Sequence, residues 1–178
     1  MDIKKKIIII ACDNGLGHVK RCLLIAEQFL LKNFYVELVC CKEKLLKICK
    51  VLKISEIPKN INIKINYMSM NETFQSRVKL LDEALDLKVY DLVISDNLIE
   101  ILYLRPDTVL LANFWWHEVV NYKGEILFSL KKILEERKPV IIGSDIFSTK
   151  NVKKNKNFQP IGIITKSIYK GKKINNFK

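Results

Sequence analysis

The apolar run from Lys6 to Cys12, KIIIIAC, constrains the fold of this chain more than any other segment. It is short, continuously apolar and rich in β-branched residues, which is the pattern of a strand covered on both faces in a parallel sheet. A turn at 13–17 follows, and the segment 18–31 then places leucines at near-helical spacing until Lys32-Asn33 closes the pattern. These three segments predict a β-loop-α unit at the start of the chain.

The alternation of strand and helix patterns continues along the sequence. Parallel strands need helix-length connections, and these connections cross in the right-handed sense. The pattern therefore predicts an α/β fold, a Rossmann-like open parallel sheet with helices on both faces, formed by residues 1–149 as a single domain. Further strands are predicted at 35–41, 61–67, 91–95, 108–112 and 140–143, with a candidate edge strand at 158–164, and further helices at 43–52, 74–87, 97–103 and 125–137.

Composition narrows the class of protein. The five cysteines are odd in number, crowd the first third of the chain and form no Cys-x-x-Cys pair, so we expect reduced, mostly buried thiols and no metal site. No apolar run reaches the roughly 18 residues of a membrane span, and the first residues lead directly into a strand pattern instead of a signal peptide. The expected compartment is the cytoplasm.

The net charge of +12 is concentrated at the end of the chain. Lys150 onward contributes nine lysines and no acidic residue, so the residues before it carry a net charge of only +3. No stacking motif of aromatic residues and arginines accompanies these lysines, which disfavours nucleic acid as a partner. The segment 150–178 is predicted to be a basic tail or linker, either purely solvating or in peripheral contact with an anionic membrane surface.

Ligands of open parallel α/β sheets bind at the carboxyl ends of the strands. The candidate site residues after the first strand are therefore Asn14, Gly15, Gly17, His18 and Arg21. Glycines allow a tight turn and a close approach of the backbone, and free N–H groups at a helix start favour an anion or a polar oxygen. The helix dipole disfavours the imidazolium form of the histidine, which suits the ring to accept a proton. A histidine near a helix start without any chemical role is the alternative.

Two common nucleotide motifs are absent. A dinucleotide fingerprint needs a third glycine where Lys20 stands, and an acidic ribose ligand where the second strand ends in Cys40-Cys41. The phosphate loop of standard ATPases is missing as well. We therefore expect no nicotinamide cofactor and assign no other cofactor.

The motif Gly15-x-Gly17-His18-x-x-Arg21, between an apolar strand and Ile25-Ala26-Glu27, resembles the opening motif of GT-B glycosyltransferases. It is most similar to the MurG-like group and to the related UDP-sugar hydrolases of nonulosonic acid synthesis. The segment Tyr90 to Asp96, YDLVISD, is similar to the aspartate-bearing fourth strand of their amino-terminal domains. The resemblance covers roughly residues 5–145, although only these two motifs are specific.

The resemblance implies a two-domain enzyme in which this chain matches the amino-terminal, acceptor-side domain. A second domain or subunit would bind the nucleotide sugar, and the acceptor would be a hydroxyl compound or a lipid-linked sugar. By position in the family, His18 would take the proton of the acceptor hydroxyl while Asp96 orients the ring, and Asn97 would lie beside them. An aspartate that merely caps the following helix is the alternative for Asp96.

Aromatic residues follow the next strand in the segment Asn113 to Glu118, NFWWHE. Aromatic faces pack well against sugar rings or a lipid, so Trp116 and His117 are candidates for acceptor binding. Adjacent residues point in different directions, so we expect only one tryptophan of the pair to contact a ligand. Two other functions remain open from the sequence, namely nucleotide-sugar hydrolysis, in which water is the acceptor, and a noncatalytic scaffold or binding subunit.

Overall fold

The strands in the described part of the chain all lie in one parallel sheet. The computed structural model describes residues 4–54, 57–63, 65, 73–119 and 124–165. Across the sheet the strand order is β3-β2-β1-β4-β5-β6-β7, and every pairing is parallel. The predicted Rossmann-like α/β fold is therefore confirmed. The strands are β1 (Lys6–Ala11), β2 (Tyr35–Val39), β3 (Lys59–Ile61), β4 (Leu92–Asp96), β5 (Val109–Leu111), β6 (Ile141–Ser144) and β7 (Phe158–Ile161).

Helices connect these strands and cover both faces of the sheet. Ile8 and Ile10 of β1 belong to a core cluster shared with the later helices, whereas Ile7 and Ile9 face a second cluster formed with the first two helices. Burial on both faces explains the continuously apolar sequence of β1. The helices are α1 (Leu16–Leu31), α2 (Lys42–Leu52), α3 (Phe74–Ala84), α4 (Ile101–Leu104), α5 (Trp116–Val119), α6 (Glu125–Arg137) and α7 (Lys150–Lys153).

Several predicted boundaries change in the structure. The helix α1 begins at Leu16 instead of His18, and α3 ends at Ala84, after which a 3-10 turn spans Leu87–Val89. The strand predicted at 61–67 is wrong in position, because β3 ends at Ile61 and residues 62, 63 and 65 are not in a strand. The rest of that prediction, at residues 64, 66 and 67, lies outside the described residues.

The sheet continues past the boundary predicted at residue 149. Thr149 caps α7 by accepting a hydrogen bond from the Val152 N–H, and the Val152 side chain is fully buried. The strand β7 then pairs with β6 and forms one edge of the sheet. The first part of the segment predicted to be a basic tail or linker thus contains a helical turn and a strand. Residues 166–178 of the predicted tail lie outside the described residues.

Gly143 lets β6 approach its neighbours closely. A Cβ atom at this position would lie 2.3 Å from the backbone oxygen of Ala112 and 2.9 Å from Cε2 of Phe158. The first of these atoms belongs to the backbone and has little freedom to move. A side chain at residue 143 would therefore push apart the segments that form the carboxyl edge of the sheet.

We expect Gly143→Ala to lower the free energy of unfolding by about 3 kcal/mol, the upper part of the range for overpacked interiors. Urea denaturation followed by circular dichroism measures the change. Gly162→Ala is the matched control, because a Cβ at that glycine has nothing within 4 Å, and its effect should stay within about 0.5 kcal/mol. Equal stability of the two variants would contradict this account of Gly143.

Candidate functional site

The strand order reverses its direction between β1 and β4, and in open α/β sheets such a reversal is where a ligand-binding crevice forms at the carboxyl edge. From β1 the chain runs to one flank of the sheet, and from β4 the later strands run to the other. Ala11 at the end of β1 is in register with Asp96 at the end of β4. The turn before α1 and the residues after β4 therefore flank the same crevice.

His18 and Asp96 meet at this crevice. His18 is the third residue of α1, and its Nδ1 atom lies 3.1 Å from Oδ2 of Asp96. A carboxylate only accepts hydrogen bonds, so the shared proton belongs to Nδ1, and Nε2 is left as the proton acceptor of the ring. The Asp96 side chain is completely buried, whereas 13% of the His18 side chain is exposed. The pair predicted from the sequence is thus brought together, with the histidine on the solvent side.

Arg21 completes the contacts of the carboxylate. One turn after His18 on α1, its Nη2 atom pairs with Oδ1 of Asp96. Burial acts to lower the pKa of the guanidinium, but attraction to Asp96 outweighs it and the pKa of Arg21 is raised. The Cys22 thiol donates to Oδ2 of Asp96 at 3.6 Å. Asp96 therefore fixes three residues of α1 against β4, and its negative charge is matched by an arginine.

The two glycines of the turn leave open space in front of α1. Gly15 has a φ of 177°, which is ordinary extended backbone, so the tight-turn role expected for a glycine is not needed there. Gly17 lies within the first turn of the helix and has no positive φ. A Cβ at either residue would meet nothing within 4 Å. What these glycines provide is access to the backbone at the rim.

A cavity of about 170 Å³ lies beside Arg21, at the carboxyl ends of β5, β6 and β7. Gly17, Arg21, Asn113 and Phe147 are among its lining residues. The Asn113 Oδ1 atom accepts hydrogen bonds from the Ser144 N–H at 2.8 Å and from the Ser148 hydroxyl at 3.1 Å, which holds the loop after β6 in place. Arg21 thus faces both the buried carboxylate and an open cavity.

The aromatic side chains of the segment after β5 lie at two separate sites. The Trp116 ring centroid lies 5.8 Å from that of His18 and 5.0 Å from that of Phe114. Trp115 and His117 are stacked parallel to each other with their centroids 6.3 Å apart. Both of them line a different groove, whose lining contains neither His18 nor Arg21. The structure therefore joins Trp116 to the crevice and places His117 outside it.

The two asparagines of the predicted site differ in their surroundings. Asn14 Oδ1 accepts a hydrogen bond from the Cys12 thiol at 3.0 Å. Asn97 has a left-handed backbone with φ of 63° and is almost fully buried. Neither the Oδ1 nor the Nδ2 atom of its amide has a hydrogen-bond partner among the described residues. Such an amide directly after Asp96 is a buried polar group without compensation among the described residues.

One contact at the rim was not predicted from the sequence. The Lys44 ammonium group on α2 donates to Oδ1 of Asp13 at 2.7 Å and to the Asp13 carbonyl at 2.5 Å. It fixes the start of the turn that carries the glycines. Lys44 is one of several lysines on an amphipathic helix, so its spacing gives no signal that separates it from the others.

Thiol chemistry is disfavoured near the crevice. Burial raises the pKa of Cys12 to about 12 and raises the pKa of Cys22 as well. Both residues therefore carry neutral thiols at neutral pH, whereas a nucleophilic cysteine needs a lowered pKa. All five cysteines are free and buried, as predicted. Within the described ranges no group of three or more potential ligands is arranged to hold a metal ion.

No protein-family model matches the sequence, and no curated protein matches it either. The resemblance to glycosyltransferases thus rests on the two motifs quoted above. Among the described residues no helix is both long and apolar enough to cross a bilayer.

We expect Asp96→Asn to lower the free energy of unfolding by about 3 kcal/mol, because the change leaves the largely buried Arg21 guanidinium without its counter-ion. Urea denaturation at neutral pH provides the measurement. The control is Asp107→Asn in the pair that joins Arg105 to the 68%-exposed Asp107, where the loss should stay below about 1 kcal/mol. If Asp96→Asn proved as mild as the control, the Asp96 contacts would not hold α1 to the sheet.

Proposed function

We propose that this chain is the acceptor-side half of a glycosyltransferase that moves a sugar from a nucleotide sugar to a hydroxyl acceptor. The observation that carries the proposal is the contact of 3.1 Å between His18 Nδ1 and Asp96 Oδ2 at the crevice of the sheet. This contact leaves Nε2 of His18 able to accept a proton. The nucleotide-sugar-binding domain belongs either to the same polypeptide or to a separate subunit.

The dyad has the chemistry that the transfer requires. An alcohol is a weak acid, so it attacks efficiently only when a base removes its proton as the new bond forms. In the proposed reaction His18 Nε2 takes the proton of the acceptor hydroxyl, and the hydroxyl oxygen forms a bond to the anomeric carbon. The bond from that carbon to the nucleoside diphosphate breaks, and the diphosphate leaves with the electron pair. Asp96 stabilises the imidazolium that results.

Arg21 supports this role by holding the base in place. It pairs with the second oxygen of Asp96, so the carboxylate cannot rotate away from the His18 ring without breaking a buried ion pair. Trp116 contacts the same ring from another direction. A base that is held in one orientation before the acceptor arrives loses less entropy during the reaction.

Exposed apolar residues at the carboxyl edge of the sheet support contact with another apolar surface. Ile146, Phe147 and Ile163 all lie at the carboxyl edge of the sheet, and each is more than half exposed. Exposed apolar groups clustered beside a cavity are typical of binding surfaces. A second domain or the lipid portion of a lipid-linked acceptor would cover them in the proposed enzyme.

We expect the chain to turn over no nucleotide sugar unless a donor-binding domain is present, and His18→Ala to lower the rate with that domain by about 10²-fold to 10⁴-fold, the usual contribution of a general base. The protein is purified with any nucleotide-binding protein that accompanies it, and release of nucleoside diphosphate is measured over a panel of nucleotide sugars and hydroxyl acceptors. Lys32→Ala, at the residue that follows α1, serves as the control and should keep full activity.

The outcomes separate the three candidate functions. A glycosylated acceptor whose formation needs His18 supports the transferase. Free sugar in its place would identify a hydrolase that uses the same dyad with water. A complex in which His18→Ala and the parent chain react at equal rates would remove the dyad from the mechanism, and the absence of any turnover in a complex with unrelated proteins would favour a scaffold.

A further inference from the structure

The groove that contains Trp115 and His117 is a second concave site, separate from the crevice at His18. It has a volume of about 910 Å³ and lies between α5, α6 and the segment that follows α7. Pockets for small ligands commonly have volumes of roughly 300 to 1,000 Å³. The groove is thus large enough for an organic molecule, and nothing in the proposed transfer reaction uses it.

Cations surround this groove. Lys131 on α6 and Lys138 just after α6 approach it from one side, and Lys154 and Lys156 approach it from the other side. Within the described part of the chain, none of these four lysines is paired with a carboxylate. They come from two separate segments of the chain, and the fold brings these segments to the same groove.

Acidic groups do not cancel this charge. The groove lining contains two glutamates against the four lysines. The carboxylate of one of them, Glu118, accepts hydrogen bonds from Asn151 Nδ2 at 2.7 Å and from the Thr149 hydroxyl at 3.4 Å. These contacts hold α5 against α7. Glu135 is the other, and the groove keeps a net positive charge.

The floor of the groove is apolar and aromatic. Leu127, Leu134 and Trp115 line it, and the His117 ring stacks on the Trp115 indole. The Nδ1 atom of His117 is buried and has no hydrogen-bond partner among the described residues. The floor of the groove is therefore suited to contact the apolar part of a ligand.

We propose that this groove binds the phosphate or diphosphate group of an organic ligand, with the lysines pairing with the phosphate oxygens and the ligand's apolar part packing on the floor. Lysine is a common partner of phosphate as a point charge. An apolar floor with a cationic rim fits a molecule that carries both parts. The ligand is either a soluble organic phosphate or the headgroup of a phospholipid, since both present the same oxygens. The proposal does not depend on the sugar-transfer reaction.

His117 provides a direct readout of phosphate binding. Burial lowers the pKa of His117, the charge of Glu118 acts to raise it, and the charge of Lys131 lowers it further. A bound phosphate offsets the repulsion from Lys131, so we expect the pKa of His117 to rise by about one pH unit. The sequence has only two histidines, so a His18→Asn variant leaves a single imidazole signal for NMR titration.

Trp115 provides a second readout, because protonation of the stacked His117 ring changes the indole emission. The titration uses the full chain with Trp116→Phe, so that Trp115 is the only remaining tryptophan. Inorganic pyrophosphate is the soluble probe, and phosphatidylglycerol vesicles compared with neutral phosphatidylcholine vesicles are the lipid probe. The two arms distinguish a soluble ligand from a headgroup.

We expect the double variant Lys131→Ala, Lys154→Ala to weaken binding by about tenfold or more, the factor that one charge-assisted hydrogen bond contributes. The matched control is Lys20→Ala, Lys50→Ala, which removes the same charge from exposed positions on α1 and α2. A response to pyrophosphate, or to anionic vesicles alone, that is lost only in the groove variant supports the proposal. Equal weakening of both variants, or no response of His117 and Trp115 to either probe, overturns it.

Discussion

The complete burial of the Asp96 carboxylate is the constraint on which the functional end of this molecule depends. A charge at the end of a central strand is tolerated only when other groups replace its water, and α1 supplies all three donors, from His18, Arg21 and Cys22. The same contacts fix the direction in which α1 leaves the sheet. Folding and the orientation of the imidazole are therefore two results of one interaction, and a change that releases the histidine also loosens the helix.

The segment after β5 distributes its aromatic residues between two sites. Trp116 lies against His18, whereas Trp115 and His117 form the floor of the cationic groove. Trp115 directly precedes the four-residue helix α5, and Trp116 and His117 are its first two residues, so successive side chains of this short segment point in different directions. A shift of this turn would change both sites together, so the turn physically connects them.

The sequence predicted the parts of the structure that depend on local periodicity. The limits of α6 were predicted correctly, and β1 was recognised because burial on both faces removes every polar residue from its interior. The pairing of His18 with Asp96 was also predictable, since parallel strands bring their carboxyl ends to one edge. The strand β3 was misplaced because a short strand at an exposed edge has little apolar signal.

Other features depend on contacts between distant segments, so the local spacing of apolar and polar residues does not predict them. The lysine-rich segment after residue 149 has the composition of a linker, yet the burial of Val152 and the pairing with β6 incorporate it into the fold. The contact of Lys44 with Asp13 and the separation of His117 from His18 likewise depend on how α2 and α5 pack. Residue type and spacing do not encode these distances.

The proline in β7 has a consequence for the behaviour of the molecule in concentrated solution. The carbonyl groups of Asn157 and Ile161 accept hydrogen bonds from the β6 side, so by alternation the backbone nitrogen of Pro160 faces away from the sheet. That nitrogen carries no hydrogen, so a strand that paired with the free edge of β7 would lack one hydrogen-bond donor in the middle of the pairing. The opposite border, β3, has only three residues. Both margins of the sheet are thus poor templates for edge-to-edge stacking of neighbouring molecules, which protects the chain against fibrous aggregation.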